Sequence, residues 1–138
     1  KIINVVLGGR INNDPWLGKM KIFALGNGLI SSTGRMFKGN IFSLGLMAGL
    51  SFNGIKVVVS SKRMQAAEKS IFRHVNIEPK DLDLLVLKST VHFRADFNEF
   101  KHVLIVKSRS SNFIDHSKYK YKNLRKGVRL MPMSITTT

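Results

Sequence analysis

The feature that most constrains the fold is a change of hydrophobic pattern near the middle of the 138-residue chain. Before residue 60, short apolar segments alternate with glycine-containing turns, which is typical of β-strands joined by tight connections. The pairs Asn27-Gly28 and Asn53-Gly54 predict hairpins whose turn residues have positive φ. Strands are predicted at residues 3–7, 19–25, 41–48 and 56–60. We therefore expect a small, glycine-rich β unit, antiparallel or barrel-like, in the first half.

In the second half the spacing of apolar residues changes to an alternation of strands and helices. The spacing predicts a strand at 56–60, a helix at 64–75, a strand at 84–87, a helix at 91–100 and a strand at 102–106. Such a βαβαβ order implies a parallel sheet with right-handed crossovers. A last strand is predicted at 128–131. The expected fold class is therefore α/β (mixed α+β), within a single domain that covers residues 1–138.

The net charge of +15 and the absence of cysteine bound the possible functions. Without cysteine, a disulfide framework, a thiolate zinc site and a cysteine nucleophile are excluded, and a cytoplasmic location is expected. The apolar stretch 41–52 is shorter than a membrane-spanning helix, so no membrane partner is expected. The charge makes nucleic acid a candidate partner, although a general enrichment of lysine on the surface explains it equally well.

Two polar runs follow predicted parallel strands, at the strand ends where α/β proteins build binding crevices. One run begins at Ser60 and includes Ser61, Arg63 and Gln65, and the other extends from Lys88 to Phe97. In the second run, His92 begins a predicted helix and is flanked by side chains that recognise anions or polar ligands. Its alternative role is that of a hydrogen-bonded supporting residue. The candidate contact residues are Ser61, Arg63, Gln65, Lys88, Ser89, His92 and Arg94.

The chain is expected to hold neither a metal site nor a catalytic triad of its own. Its four histidines are His74, His92, His102 and His116, which lie in different predicted elements without the spacing of a metal-binding motif. Ser89, His92 and Asp96 are close in sequence, but their spacing on a helix does not create a nucleophile.

These runs resemble the carboxyl-terminal domain of the MlrC (microcystinase C) family. The resemblance rests on 7–10 with Asp14-Pro15, on 57–65, on Ile77-Glu78-Pro79 and on 88–97. The basic segment 121–126 extends it, so that it covers essentially the whole chain.

The resemblance implies that the chain is the second domain of a larger zinc-dependent amidohydrolase or peptidase. The metal ligands would belong to an amino-terminal metal-binding domain, so zinc is expected in the full-length enzyme and not in this chain. The implied chemistry is attack of a metal-activated water on an amide, for example in a linear peptide such as opened microcystin. The candidate residues named above would contact the peptide-like substrate or the other domain, and the chain alone would be inactive.

Two other classes of function remain open. A basic nucleic-acid-binding module is suggested by Tyr119 and Tyr121, which alternate with basic residues. These basic residues are Lys118, Lys120, Lys122, Arg125, Lys126 and Arg129. A non-catalytic interaction domain is suggested by the segment 43–48, which lacks a carboxylate and a proline found at the corresponding place in the family, and by the tail, which lacks the family's tryptophan.

Overall fold

The computed structural model describes residues 1–9, 14–89, 91–106 and 119–130. The chain divides into two compact units, residues 1–101 and 102–138. Within the second unit, residues 102–106 are exposed and the rings of Tyr119 and Tyr121 lie 5.9 Å apart. All of the regular elements described below belong to the first unit.

The first unit is built on an antiparallel sheet of four strands in the order β1-β2-β5-β6. Strands β3 and β4 form a separate antiparallel pair. The strands are β1 (Ile2–Gly8), β2 (Pro15–Gly26), β3 (Leu29–Ser31), β4 (Ile41–Ser43), β5 (Met47–Phe52) and β6 (Ile55–Ser60). The antiparallel pairing predicted for the first half is therefore present, although the predicted strand 41–48 is divided between β4 and β5.

One of the two predicted asparagine–glycine hairpins is confirmed. Asn53 and Gly54 have φ values of 46° and 80° and join β5 to β6. Gly28 also has a positive φ of 69°, but the strands on either side of it do not pair. Its N–H donates to His74 Nε2 at 3.0 Å, and a Cβ at this position would lie 1.8 Å from the carbonyl oxygen of Gly45. Gly28 therefore allows a close backbone approach instead of turning a hairpin.

The predicted α/β class, with a βαβαβ segment and a parallel sheet, is wrong. Every strand pair in the described part of the chain is antiparallel. β6, which was predicted to lie parallel to 84–87, pairs with β5 across the two-residue turn, and the described residues 84–87 do not pair with it. Residues 84–87, 102–106 and 128–130 form no ladder with a described segment, and residue 131 lies outside the described part.

Both predicted helices are much shorter than their apolar spacing indicates. The helix predicted at 64–75 is reduced to α1 (Ser70–Arg73). Its extension towards the amino terminus is blocked because the Lys69 N–H donates to Asp96 Oδ2 at 2.7 Å, while the Gln65 carbonyl accepts from the Ala67 N–H at 2.8 Å. The helix predicted at 91–100 is reduced to a 3-10 turn at His92–Ala95. At the start of α1, the Asp96 side chain thus accepts the Lys69 N–H that a longer helix would bond internally.

The core lies between one face of the sheet and the short helical segments. Met47 of β5, Val75 after α1 and Phe97 after the 3-10 turn are buried in one cluster, together with Ile30, Leu44, Ile71, Phe72, Ile77 and Phe93. The rings of Phe72 and Phe97 meet edge to face at 6.0 Å. Most of the apolar residues that predicted the two helices are therefore core residues, whereas Met64 and Val91 are exposed, and most of the set is not helical.

The Arg73–Glu78 ion pair gives the fold a modest dependence on pH. Arg73 Nε donates to Glu78 Oε2 at 2.8 Å, and this hydrogen bond lowers the pKa of the Glu78 carboxyl. A lowered pKa stabilises the folded state above the ordinary carboxyl range, and this stabilisation is lost as pH falls through the lowered value. We expect Glu78→Gln to lower the midpoint of chemical denaturation slightly at neutral pH and not in strong acid. The control is Asp83→Asn, which changes an exposed carboxylate. An equal effect of Glu78→Gln at both pH values would contradict the stabilising role of the Arg73–Glu78 ion pair.

Candidate functional site

The candidate site is a hydrogen-bonded cluster of Gln65, Ser89 and His92. The side-chain oxygen Oε1 of Gln65 lies 2.5 Å from His92 Nδ1 and 3.4 Å from Ser89 Oγ. An amide oxygen only accepts hydrogen bonds, so Nδ1 of His92 carries the proton and donates it. No described residue is bonded to His92 Nε2, and the side chain is exposed. The cluster therefore presents one imidazole nitrogen to a ligand and fixes the other.

Aromatic residues on the same short segment hold His92 at the surface. Phe93 and Phe97 are 8% and 3% exposed and belong to the core cluster. The Asp96 carboxylate accepts the Lys69 N–H, which ties this segment to the start of α1. Because Phe93 and Phe97 are fixed inward, the 3-10 turn points His92 away from the core.

A small depression of about 210 Å³ adjoins the cluster. Met36 and Phe37 come from the loop between β3 and β4, and Met64 comes from the segment after β6. The depression is lined by Met36, Phe37, Met64, Gln65, Ala67 and His92. Apolar walls with a few polar groups are the usual composition of a small-ligand site.

The buried carboxylate of Glu68 holds this wall in place. Glu68 is 0% exposed, and its oxygens accept from the Ser32 hydroxyl at 2.5 and 2.7 Å and from the Ser70 hydroxyl at 2.9 Å. The backbone N–H of Phe37 donates to Oε1 at 3.2 Å. Glu68 thereby joins the loop that carries Phe37 to the start of α1, three residues after Gln65. Its carboxylate is a positioning group for the depression.

The other four residues predicted from the sequence to contact a ligand make no hydrogen bond with this cluster in the described part of the chain. They are Ser61, Arg63, Lys88 and Arg94. Ser61 is bound to the segment before β5: its N–H donates to the Leu46 carbonyl at 2.9 Å, and its hydroxyl lies 3.5 Å from the Leu44 carbonyl. The Arg94 guanidinium lies over the ring of Phe93, 5.2 Å from its centre. Arg63 and Lys88 are exposed and precede Gln65 and Ser89 in the chain.

The site therefore contains one hydrogen-bonded trio, Gln65, Ser89 and His92, and several basic side chains on neighbouring residues. Ser61 takes no part in the trio, since its bonds go to the backbone of the segment before β5. A polar ligand at the trio would meet the Nε2 acceptor of His92 and positive charge on neighbouring residues.

Glu68 and Phe37 were missed by the sequence analysis. Glu68 has a detectable signal, because it falls on the same helical stripe as Met64, Ile71 and Val75, where a charged residue is out of place. Phe37 has none, since its contribution depends on a loop whose path the sequence does not predict.

The described donors do not fit a zinc site. In residues 1–9, 14–89, 91–106 and 119–130 there is no group of three or more histidine, cysteine, aspartate or glutamate side chains able to hold a metal ion. Near His92 the bonded partners are an amide and a hydroxyl, which are weak zinc ligands compared with imidazole, thiolate or carboxylate.

The predicted nucleic-acid patch lies in the second unit. Lys120, Tyr121, Lys122 and Arg125 are exposed, as are Lys126 and Arg129, whereas Lys118 lies outside the described residues. In the described part of the chain no helix is long and apolar enough to cross a bilayer.

A family model described as "MlrC C-terminus" matches residues 1–123, which is most of the chain and includes Gln65, Ser89 and His92. No curated protein matches the chain.

Proposed function

Since this chain belongs to the MlrC C-terminus family, we propose that it is the accessory, substrate-side domain of a zinc-dependent amidohydrolase or peptidase. Its role is to contact a peptide-like substrate, or the neighbouring domain around that substrate, through the Gln65–Ser89–His92 trio. The observation that carries the proposal is the fixed imidazole of His92, which is held through Nδ1 and offers Nε2 outward. An immobilised hydrogen-bonding group of this kind orients a ligand at a low cost in entropy.

The basic residues near the trio favour a ligand with carbonyl or carboxylate oxygens. Arg63, Lys88 and Arg94 are exposed and flank the three residues along the chain. Guanidinium and ammonium groups bind carboxylates strongly. With the ring proton on Nδ1, the outward Nε2 of the neutral His92 ring is a hydrogen-bond acceptor, which suits a peptide N–H. A peptide supplies both the N–H and the carboxylate.

The zinc ion and its ligands belong, in this proposal, to an amino-terminal metal-binding domain, which is also the proposed partner. No described residue of this chain is assigned to the metal, and none is assigned to bond cleavage. A cytoplasmic location, nucleic acid as a partner and a purely non-catalytic role stay predictions from the sequence.

Turnover by the chain alone tests the proposal. We expect the purified 138-residue chain to hydrolyse linear peptides no faster than buffer does, with or without added Zn²⁺. The protein encoded by the whole reading frame that contains this chain should hydrolyse one or more of the same peptides. Peptide release is followed by mass spectrometry. Turnover by the 138-residue chain itself contradicts the proposal, as does a zinc-loaded longer protein that cleaves no amide.

A further inference from the structure

A second and larger depression lies along the outer edge of β6. It is an open groove of about 860 Å³, within the size range of small-ligand pockets. One side is formed by β6, and the other by the segment 81–88. Apolar residues such as Met47, Val58 and Leu85 dominate its lining. Met64 and Gln65 line both this groove and the smaller depression, so the two lie next to each other.

The outer edge of β6 offers unpaired backbone groups to this groove. β6 is the last strand of its sheet among the described residues. In a two-residue hairpin the residues that flank the turn, here Phe52 and Ile55, form a hydrogen-bonded pair. Hydrogen-bonded pairs recur at every second residue of an antiparallel ladder, so the backbone groups of Val57 and Val59 also bond to β5. The Ser61 N–H follows this alternation and donates to Leu46. The N–H and C=O groups of Lys56, Val58 and Ser60 therefore point outward.

The opposite wall is a second extended backbone. Leu85, Leu87 and Ser89 are half-buried while Val86 and Lys88 are exposed, which is the alternation of an extended chain. Leu85 and Leu87 pack against the core, and no described segment forms a ladder with residues 84–87. The groove thus has extended backbone on both sides and an apolar floor.

The charges of the groove differ along the segment 81–88. Asp81 and Asp83 stand at its start, and Lys88 stands at its end, directly before Ser89 of the trio. An extended peptide matches this arrangement when its amino group lies near the aspartates and its carboxylate near Lys88.

We propose that the groove binds an extended peptide as an added strand on the outer edge of β6, with the carboxyl end of the peptide directed towards Lys88 and the Gln65–Ser89–His92 trio. This inference rests on the proposed function and specifies where the peptide-like substrate lies. Main-chain hydrogen bonds to Lys56, Val58 and Ser60 provide the affinity, and side chains on one face of the peptide enter the apolar lining.

Amide hydrogen exchange of the 138-residue chain tests this strand addition. The probe is a hexapeptide of alternating valine and threonine with free ends. We expect it to slow exchange of the Lys56, Val58 and Ser60 amides about tenfold or more. The amides of Val57 and Val59 already bond to β5 and serve as internal controls that stay unchanged. A probe with alternate amides N-methylated, which cannot form an edge ladder, should have no effect, and blocking both ends should weaken binding.

A matched pair of variants separates backbone from side-chain binding. The Lys56 N–H points away from β5, so Lys56→Pro removes one outward donor and no bond of the sheet. Proline is tolerated at such a position of an edge strand. We expect it to weaken binding of the probe about tenfold, and Lys56→Ala to weaken it about twofold or less. Circular dichroism checks that both variants keep the sheet.

Three results would overturn the inference. The first is unchanged exchange at Lys56, Val58 and Ser60 with saturating probe. The second is equal binding of the N-methylated probe. The third is protection that rises with protein concentration in the absence of probe, which assigns the edge to a second copy of the chain. These results leave the turnover test of the proposed function unaffected, so the two failures are distinguishable.

Discussion

Replacing Glu68 with alanine is expected to lower the free energy of unfolding by about 3 to 5 kcal/mol. The carboxylate is 0% exposed and accepts from the Ser32 hydroxyl, the Ser70 hydroxyl and the Phe37 N–H. Alanine removes the acceptor and leaves these donors buried without a partner, in addition to creating a cavity. For a chain of this size the melting temperature should fall by about 10 °C or more.

Glu68→Gln should cost less than Glu68→Ala. Glutamine keeps the volume of the side chain and one acceptor oxygen, and the serine hydroxyls can rotate to accept from its amide. The control is Glu99→Ala, because Glu99 pairs with Lys69 Nζ at 2.8 Å but is 45% exposed. A partly exposed pair of this kind contributes less than about 1 kcal/mol. Chemical denaturation of the three variants gives their free energies of unfolding and so checks this order. Equal losses for Glu68→Ala and Glu99→Ala would contradict the structural role of Glu68.

Loss of Glu68 should also disturb the candidate site before the chain unfolds. The bond to the Phe37 N–H fixes the loop between β3 and β4, and Phe37 lines the depression beside His92. Besides stabilising the fold, the Glu68 side chain therefore positions the loop that carries Phe37 beside His92.

The strands of the first half are predictable from the sequence because their signals are local. The Asn53-Gly54 pair specifies its turn without reference to distant residues, and β6 was predicted at 56–60, within one residue of its observed bounds. β5 was not, because the predicted strand 41–48 overlaps Met47–Phe52 at only two residues. The hairpin at Asn27-Gly28 was predicted from the same kind of signal and is wrong. There, contacts with Gly45 and His74, which are distant in sequence, decide the path of the chain.

The second half is predictable only as a set of core residues. Ile71, Val75, Phe93 and Phe97 are buried, as their apolar spacing indicates. That spacing does not reveal that the Asp96 side chain accepts the N–H of Lys69 and so prevents a longer helix. Long-range side-chain bonds to backbone groups override local helical preference here.

The candidate residues show the same division between local and long-range information. The prediction that the two polar runs meet rests on parallel strands, and that reason is wrong because the described strands pair antiparallel. Gln65, Ser89 and His92 nevertheless come together, through the packing of Phe93 and Phe97 and not through a parallel sheet. Ser61 and Arg94 make other contacts, with the Leu44 carbonyl and the Phe93 ring.

Replacing His92 with alanine should lower kcat/KM of the longer, zinc-loaded protein by about tenfold to a hundredfold, which corresponds to about 1.4 to 2.7 kcal/mol. The ring is exposed and lies outside the core, so the free energy of unfolding should change little. Alanine removes the group at Nε2 and also the Nδ1–H that holds Gln65 Oε1. In the proposed function, both losses weaken contact with the substrate or with the other domain.

Asparagine at position 92 separates these two losses. Its side-chain amide can still donate to Gln65 Oε1, but it has no counterpart of Nε2. If Nε2 makes the contact, His92→Asn is as impaired as His92→Ala. If His92 only positions Gln65, His92→Asn recovers much of the activity. His102→Ala, at an exposed histidine of the second unit, is the control and should leave kcat/KM unchanged.

The most direct test of the central claim is therefore the kcat/KM for peptide hydrolysis of the longer protein with His92, with His92→Ala and with His102→Ala, each loaded with zinc. The account predicts a loss of about tenfold or more for His92→Ala alone, with an unchanged melting temperature. Equal kcat/KM values for all three proteins would contradict the assignment of the Gln65–Ser89–His92 trio as the contact site.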